Sequence, residues 1–338
     1  MRLLITGGAG FIGSAFVRLL LSERPDWQVA DLDLLTYAGN LENLETVEGH
    51  PHHRFVRGDL ADRALVESLF PVDAVVNFAA ESHVDRSIQD PERFLATNVL
   101  GTHALLEAAR QKGLARFVQV STDEVYGSIE KGLFTEDSPL SPRSPYSASK
   151  AAADHLCLAY HHTYGLPVLI TRSSNNYGPY QFPEKLIPLL VTNALEGKDL
   201  PLYGDGENVR DWLFVEDNCR GVLAALERGR PGGVYNLGGG AQRTNREVAE
   251  AVRRLVGGPS RVVLIPDRPG HDRRYALDCR HARRELGWRP TTDFEAGLAA
   301  TVAWYREHRA WWERVKSGEY RRYYEAHYGP ALAAGSPA

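Results

Sequence analysis

Thr6-Gly7-Gly8-Ala9-Gly10-Phe11-Ile12-Gly13 decides how this chain folds. An apolar run at residues 3–6 precedes it, and a helical pattern at 11–21 follows. Gly7 permits a sharp turn, Gly10 lets the backbone come close to a pyrophosphate, and Gly13 allows close helix packing. The first turn of the helix offers unpaired N–H groups to phosphate. An acid about twenty residues farther on completes a dinucleotide-binding pattern. That acid is Asp33, with Asp31 the second choice. A carboxylate there accepts hydrogen bonds from a ribose 2′-OH and repels a 2′-phosphate, which selects NAD over NADP.

Outward from this turn, short apolar runs alternate with helical patterns. Residues 28–33, 54–57, 74–78, 117–121 and 168–171 read as strands; 64–70, 91–111 and 148–164 read as helices. This alternation predicts an α/β fold, a Rossmann-type doubly wound parallel sheet covered on both faces. The stretch 175–188, rich in Asn, Gly, Pro and aromatics, reads as an ordered loop. Residues 213–226 and 233–237 read as a return to the main layer. Residues 244–256, 262–265 and 294–308 suggest a smaller C-terminal α/β substrate lobe. The expected division is 1–175 with 208–242 for the NAD-binding domain, and 176–207 with 243–329 for the other lobe. Tyr320, Tyr323, Tyr324 and Tyr328 suit a helix docked on the surface, and 330–338 is expected to be disordered.

At 338 residues, with 43% hydrophobic and 24% charged side chains, the composition is that of a globular enzyme. A net charge of −4 without a basic stripe argues against nucleic acid. No stretch approaches the ~18 apolar residues a membrane span needs. The opening run is cut by Gly7 and Gly8, so no signal peptide is expected. Cys157, Cys219 and Cys279 are far apart and read as free thiols in a reducing cytoplasm. The histidines show no metal-ligand spacing, so no metal is expected; His52-His53 and His161-His162 read as surface pairs.

Two further stretches carry chemistry: Ser121-Thr122-Asp123-Glu124-Val125-Tyr126-Gly127, which follows a strand directly, and Tyr146-Ser147-Ala148-Ser149-Lys150. Tyr146 and Lys150 share one helix face, and an ammonium beside a phenol favours the phenolate. Such a Tyr can take a proton from a sugar hydroxyl while hydride leaves the same carbon. Asp123 and Glu124 could be an acidic cap. In a partly dry site, two neighbouring carboxylates can instead differ in proton affinity, one serving as acid and one as base. That extra pair points to an elimination.

With its Gly-x-x-Gly-x-x-Gly spacing and Tyr-x-x-x-Lys, the chain resembles the extended short-chain dehydrogenase/reductase family. Longer motifs narrow the resemblance to the dTDP-glucose 4,6-dehydratases. They are the two stretches just quoted with residues 33–40, 77–88 (Asn-Phe-Ala-Ala-Glu-Ser-His-Val-Asp-Arg-Ser-Ile), 175–188 and 268–275. The resemblance implies NAD contacts at Gly7, Gly10, Phe11, Ile12, Gly13, Asp33, Leu34, Leu35 and Thr36, and at Asp59, Leu60, Phe78, Ala79, Ala80, Ser82, Thr97 and Asn176, besides Tyr146 and Lys150. Leu34 departs from the family, which usually has Lys there.

The resemblance also implies a cycle. Tyr146, helped by Lys150, oxidises C4 of the glucose ring while NAD accepts hydride, and Thr122 hydrogen-bonds the C4 oxygen. Glu124 removes the C5 proton as Asp123 protonates the departing C6 hydroxyl, and hydride then returns to C6. The cofactor ends as it began and should stay bound. Substrate contacts are implied at Ser82, Thr122, Asn175, Lys185, Leu186, Arg210 and Asn245, at Pro201, Leu202 and Tyr203 around the nucleobase, and at Asp267, Arg268, Pro269, Gly270 and His271. Arg suits bidentate phosphate contacts, and Arg273 is a further candidate. The family is usually dimeric, and 91–111 and 148–164 could supply the helices. Another nucleotide-sugar 4,6-dehydratase, a C4 epimerase of the same fold and a non-catalytic NAD-binding scaffold are the alternatives. An epimerase needs no Asp-Glu pair, and a scaffold needs neither Tyr146 nor Lys150.

Overall fold

Leu3, Leu4 and Ile5 are all buried, as a strand covered on both faces requires. In the computed structural model, which describes residues 1–334 and 336–337, they belong to β1 (Arg2–Thr6). Leu3 and Ile5 pack into the core on one face and Leu4 into the core on the other. The chain continues as α1 (Phe11–Glu23), β2 (Gln28–Asp33), β3 (His53–Arg57), α2 (Arg63–Ser68), β4 (Ala74–Asn77), α3 (Val84–Gln89), α4 (Pro91–Phe94), α5 (Thr102–Lys112), β5 (Arg116–Thr122), α6 (Pro145–Tyr164) and β6 (Val168–Ser173). Then follow β7 (Asn175–Tyr177), α7 (Leu186–Leu195), β8 (Leu200–Tyr203), β9 (Val209–Phe214), α8 (Val215–Arg228), β10 (Val234–Leu237), β11 (Gln242–Thr244), α9 (Asn245–Val256), β12 (Val262–Ile265), α10 (Arg280–Leu286), α11 (Phe294–Glu307), α12 (Arg309–Val315), α13 (Glu319–Ala334) and β13 (Ser336–Pro337).

Among the described residues, seven strands form one parallel sheet in the order β10-β6-β5-β4-β1-β2-β3. This is the doubly wound architecture expected from the alternation. Helices α1, α8 and α10 cover one face and α2, α5 and α6 the other. The chain order reverses between β1 and β4, and ligands bind beyond the strand ends at such a reversal. Two smaller sheets, β11-β9-β7 and β13-β12-β8, adjoin a second core built around Tyr177, Trp212, Tyr305 and Trp312. Thus β9 pairs with β7 and β11, whereas β10 joins the main sheet.

Several details differ from the sequence reading. Residues 91–111 are not one helix: a π-helical turn, Leu95–Gly101, separates α4 from α5. Asn98 within it accepts from the Glu81 amide at 2.9 Å and donates to the Glu81 carbonyl at 3.0 Å and to Ser149 Oγ at 2.8 Å. Helix α6 starts at Pro145, because Ser144 and Ser147 form a reciprocal cap and Pro suits the first turn. His53 is not a surface residue; its side chain is buried 3.5 Å from the buried carboxylate of Asp31. His161 is half-buried, its Nδ1 2.9 Å from the Leu166 carbonyl. Finally, the segment expected to be disordered continues α13 to Ala334, and Ser336–Pro337 pairs antiparallel with β12. Tyr320 and Tyr328 are buried and anchor that helix, while the side chain of Tyr323 lies outside the described residues.

Candidate active site

One cavity runs from the glycine turn past the ends of β2, β4, β5 and β6 to the loop before α7. Gly7, Gly10, Phe11, Ile12, Gly13, Asp33, Leu34, Thr36, Asp59, Leu60, Phe78, Ala79, Ala80, Ser82 and Thr97 line it. So do Thr122, Asp123, Glu124, Tyr146, Lys150, Asn175, Asn176 and Lys185. Leu35 is not among the lining residues; its amide donates to Asp33 Oδ1 at 2.7 Å.

The turn has the shape that a phosphate needs. Gly7 has φ +74, and a Cβ there would stand 2.6 Å from the Ala79 nitrogen. A Cβ on Gly13 would stand 2.1 Å from the Gly7 carbonyl oxygen, so its close packing is against the turn itself. Gly10 is the N-cap of α1 and supplies no side chain, which leaves the first N–H groups open to an anion. Asp33 accepts from the Ala9 amide at 3.0 Å and keeps lone pairs for a ribose. Several buried polar atoms on the cavity wall have no hydrogen-bond partner among the described residues: Ser121 Oγ, Asp123 Oδ2, Ser174 Oγ, Asn175 Oδ1, Asn176 Oδ1 and Gln181 Oε1. Unpaired groups of this kind are costly, so they mark where a polar ligand belongs. The residues present fit a bound NAD.

The carboxylate pair stands on a tight turn. Thr122 caps it, accepting from the Glu124 amide at 3.2 Å and donating to Asp123 Oδ1 at 3.3 Å. Burial pushes the Asp123 carboxyl well above its usual range, and the charges of Glu124 and Asp211 push it further. Burial also raises Glu124, but Arg268, Lys185 and Arg210 all pull it back. The two acids therefore differ, Asp123 holding its proton more tightly.

Tyr146 and Lys150 lie in the first turns of α6 and face the same cavity. The lysine is anchored to the adjacent strand. Its ammonium donates to the Val120 carbonyl of β5 at 2.7 Å. Burial raises the Tyr146 phenol, Glu124 raises it further, and a hydrogen bond with Thr122 is the opposing effect. Burial lowers Lys150, against the charge of Asp154. Desolvation of both groups outweighs their proximity on the helix.

The substrate candidates come from separate segments; Lys185 lines the cavity, whereas Arg210, Arg268, Tyr203, His271 and Asn245 are not among its lining residues. Lys185 Nζ donates to the Ser82 carbonyl at 2.6 Å, immediately before Leu186 opens α7. Arg210 is buried, donates to the Asp272 carbonyl at 2.9 Å and stacks on Tyr275 at 4.4 Å. Arg268 binds Asp85 at 2.8 Å and lies 5.6 Å over the Tyr203 ring, and Tyr203 donates to Asp85 Oδ2 at 3.0 Å. Pro201, Leu202 and Tyr203 run along β8 beside β12. His271 contacts Asp267 at 2.7 Å and is pushed down to about 4 by burial and by Arg268 and Arg210. Pro269 precedes Gly270, whose φ is +69. Asn245 begins α9 with a buried Oδ1 that has no partner among the described residues. Arg273 is not brought in: it is exposed and paired with Asp205. The sequence reading missed Glu184, Gln181 and Phe182, which also line the cavity. Their only signal was membership of the 175–188 stretch.

The sequence model of the family described as GDP-mannose 4,6 dehydratase matches residues 4–301. The chain belongs to that family. Among the relatives of this dehydratase family member, dTDP-glucose 4,6-dehydratase of Xanthomonas campestris pv. campestris (strain B100) is 53% identical, with 94% of this chain and 97% of the relative covered. The dTDP-glucose 4,6-dehydratase of Streptomyces griseus is 56% identical over 92% of this chain and 96% of the relative. The crystal structure of a dTDP-glucose 4,6-dehydratase from Streptomyces venezuelae, solved with NAD bound, superposes with a TM-score of 0.91. It is 56% identical, with 94% of this chain and 100% of that one covered.

Proposed function

We propose that the protein converts dTDP-glucose to dTDP-4-keto-6-deoxyglucose and is a carbon–oxygen lyase with tightly held NAD. One observation carries this reading: two unequal carboxyls, Asp123 and Glu124, share a cavity with Tyr146 and Lys150. The similarity to dTDP-glucose 4,6-dehydratases across nearly the whole chain supports it.

When bound, NAD accepts hydride from C4 of the sugar and returns it to C6. Tyr146 receives the proton of the C4 hydroxyl, with Thr122 hydrogen-bonded to the same oxygen. The Lys150 cation, tied to Val120, offsets negative charge at the phenol. Once C4 is a ketone, the C5 hydrogen is acidic. Glu124, kept ionisable by its three cations, takes that proton. Asp123, which burial keeps protonated, gives its proton to the C6 hydroxyl, and water leaves. Glu124, whose proton exchanges with solvent, then delivers a proton to C5. Thr122 links the two remaining sites, so that the proton gathered by Tyr146 restores Asp123.

Lys185, Arg210 and Arg268, which converge electrostatically on Glu124, are assigned to the diphosphate side. Residues 1–175 with 208–242 are assigned to the cofactor, and 176–207 with 243–329 to the sugar nucleotide. A homodimer is assigned through residues 91–111 and 148–164, where Leu95, Leu100 and Tyr164 are more than half exposed. The three free thiols suit a reducing cytoplasm.

The test is purified protein plus dTDP-glucose without added NAD, read by mass spectrometry. The expected product is lighter by one water. A product of unchanged mass with inverted C4 would replace this reading with an epimerase.

A further inference from the structure

Tyr37 and Glu184 stand 147 positions apart in sequence and meet at the cavity wall. Thr36, Ala38 and Gly39, on either side of Tyr37, line the cavity next to the cofactor candidate Asp33. Gln181, Phe182, Glu184 and Lys185 line it from another segment. The Tyr37 hydroxyl donates to Glu184 Oε1 at 2.8 Å, and Arg86 Nε donates to Glu184 Oε2 at 3.1 Å. The Arg86 guanidinium also lies 3.9 Å over the Tyr37 ring, whose edge meets Phe182 at 5.4 Å. Glu184 is buried.

We propose that Tyr37, Glu184 and Arg86 form a latch that closes residues 36–39 onto residues 181–185 and so retains the dinucleotide. These are positioning residues, and the latch rests on the reading that NAD stays bound through turnover.

The chemistry suits slow opening. A buried carboxylate is tolerated only when its oxygens are paired, and here a phenol serves one and a guanidinium the other. Burial and the Glu184 charge hold the Tyr37 phenol in its protonated, donating form. Parting the two segments would strand a carboxylate, a phenol and the face of a cation–π pair together. Lys185, next in sequence, ties the same loop to Ser82, so the latch closes beside the second anchor.

The experiment compares NAD release from wild type, Tyr37→Phe and Glu184→Gln. Tyr37→Phe keeps the ring, its Phe182 contact and its stacking on Arg86, and removes only the O–H. Each protein is loaded with NAD and freed of excess. Release is then followed through an NAD-consuming dehydrogenase in solution. Loss of a hydrogen bond to a charged group should speed release at least about tenfold in Tyr37→Phe. The melting temperature of the cofactor-free protein should fall by only a few degrees, about 2–4 °C per kcal/mol. Release within about twofold of wild type overturns the proposal, whatever happens to the melting temperature. If Glu184→Gln does not fold, Tyr37→Phe alone decides. Dehydration of dTDP-glucose by wild type is scored separately by mass. A wild type that holds NAD but removes no water sinks the substrate reading and leaves the release comparison intact.

Discussion

Asp154 follows Lys150 by one helical turn on α6, one of its carboxylate oxygens bound to Arg172 at 2.9 Å and the other without a partner among the described residues. Its charge opposes the burial that lowers Lys150. Lys150 serves as a cation, so its contribution is lost as pH rises through its lowered pKa. Asp154→Asn removes the opposing charge and lowers Lys150 further. The alkaline limb of the kcat profile should move to lower pH. Arg172 keeps its bond to the Tyr126 hydroxyl but loses its charged partner, so stability should also fall by roughly 3–5 kcal/mol. An unmoved alkaline limb in a folded variant would show that Asp154 serves Arg172 alone.

Glu124→Gln should keep the cavity and its NAD content but remove the base. Water loss should drop about 100-fold or more. Deuterium from solvent should stop appearing at C5, read by mass spectrometry of the product. Normal deuterium incorporation would move the base to another residue.

Asp123→Asn cannot supply the proton for the departing hydroxyl, so dehydration of dTDP-glucose should again fall by about 100-fold or more. A substrate carrying fluoride at C6 needs no such proton. The variant should eliminate fluoride at a rate much nearer wild type, measured with an ion-selective electrode. Equal losses on both substrates would count against Asp123 as the acid.

Asp211 is buried, and burial pushes it up to about 6. Its folded pKa lies above the unfolded value, so the folded state holds an extra proton between pH ~4 and ~6. Stability therefore declines as pH rises through that window. Asp211→Asn retains an acceptor for the Ala241 amide, which Asp211 binds at 2.9 Å, and removes the charge. It should be more stable than wild type at pH 7 by up to about 3 kcal/mol, the difference vanishing below pH ~4. Melting curves across pH read this directly.

Asp33→Asn should weaken NAD binding about tenfold and narrow its preference over NADP, since the repulsion of a 2′-phosphate is gone. Binding titrations with both dinucleotides check it. An unchanged ratio of affinities would shift the selecting role away from Asp33.

The main sheet was legible because its buried parallel strands are plain apolar runs such as Leu3-Leu4-Ile5, with a glycine turn marking the first helix. The polar three-residue strand Asn175–Tyr177 carried no such signal; only its pairing with β9 makes it a strand. The π-helical turn depends on Asn98 reaching Glu81 and Ser149, contacts that no local pattern encodes. At the site, the residue types and the inequality of the two carboxyls were readable; the acidities of Tyr146 and Lys150 were not. Tyr146 and Lys150 sit at ideal spacing, yet burial governs both phenol and ammonium. The Tyr37–Glu184 contact has the same character: neither residue is unusual until the fold brings them together.

Phe182 and Pro183 are held by Tyr320 of α13, its ring 5.7 Å from Phe182 and its hydroxyl donating to the Pro183 carbonyl at 2.9 Å. The two partners of that hydrogen bond are 137 residues apart. At about 5–20 residues per second, a translating ribosome separates them by roughly 7–30 s. A nascent chain thus finishes its glycine turn early, while Phe182 and Pro183 lack this last brace until α13 emerges.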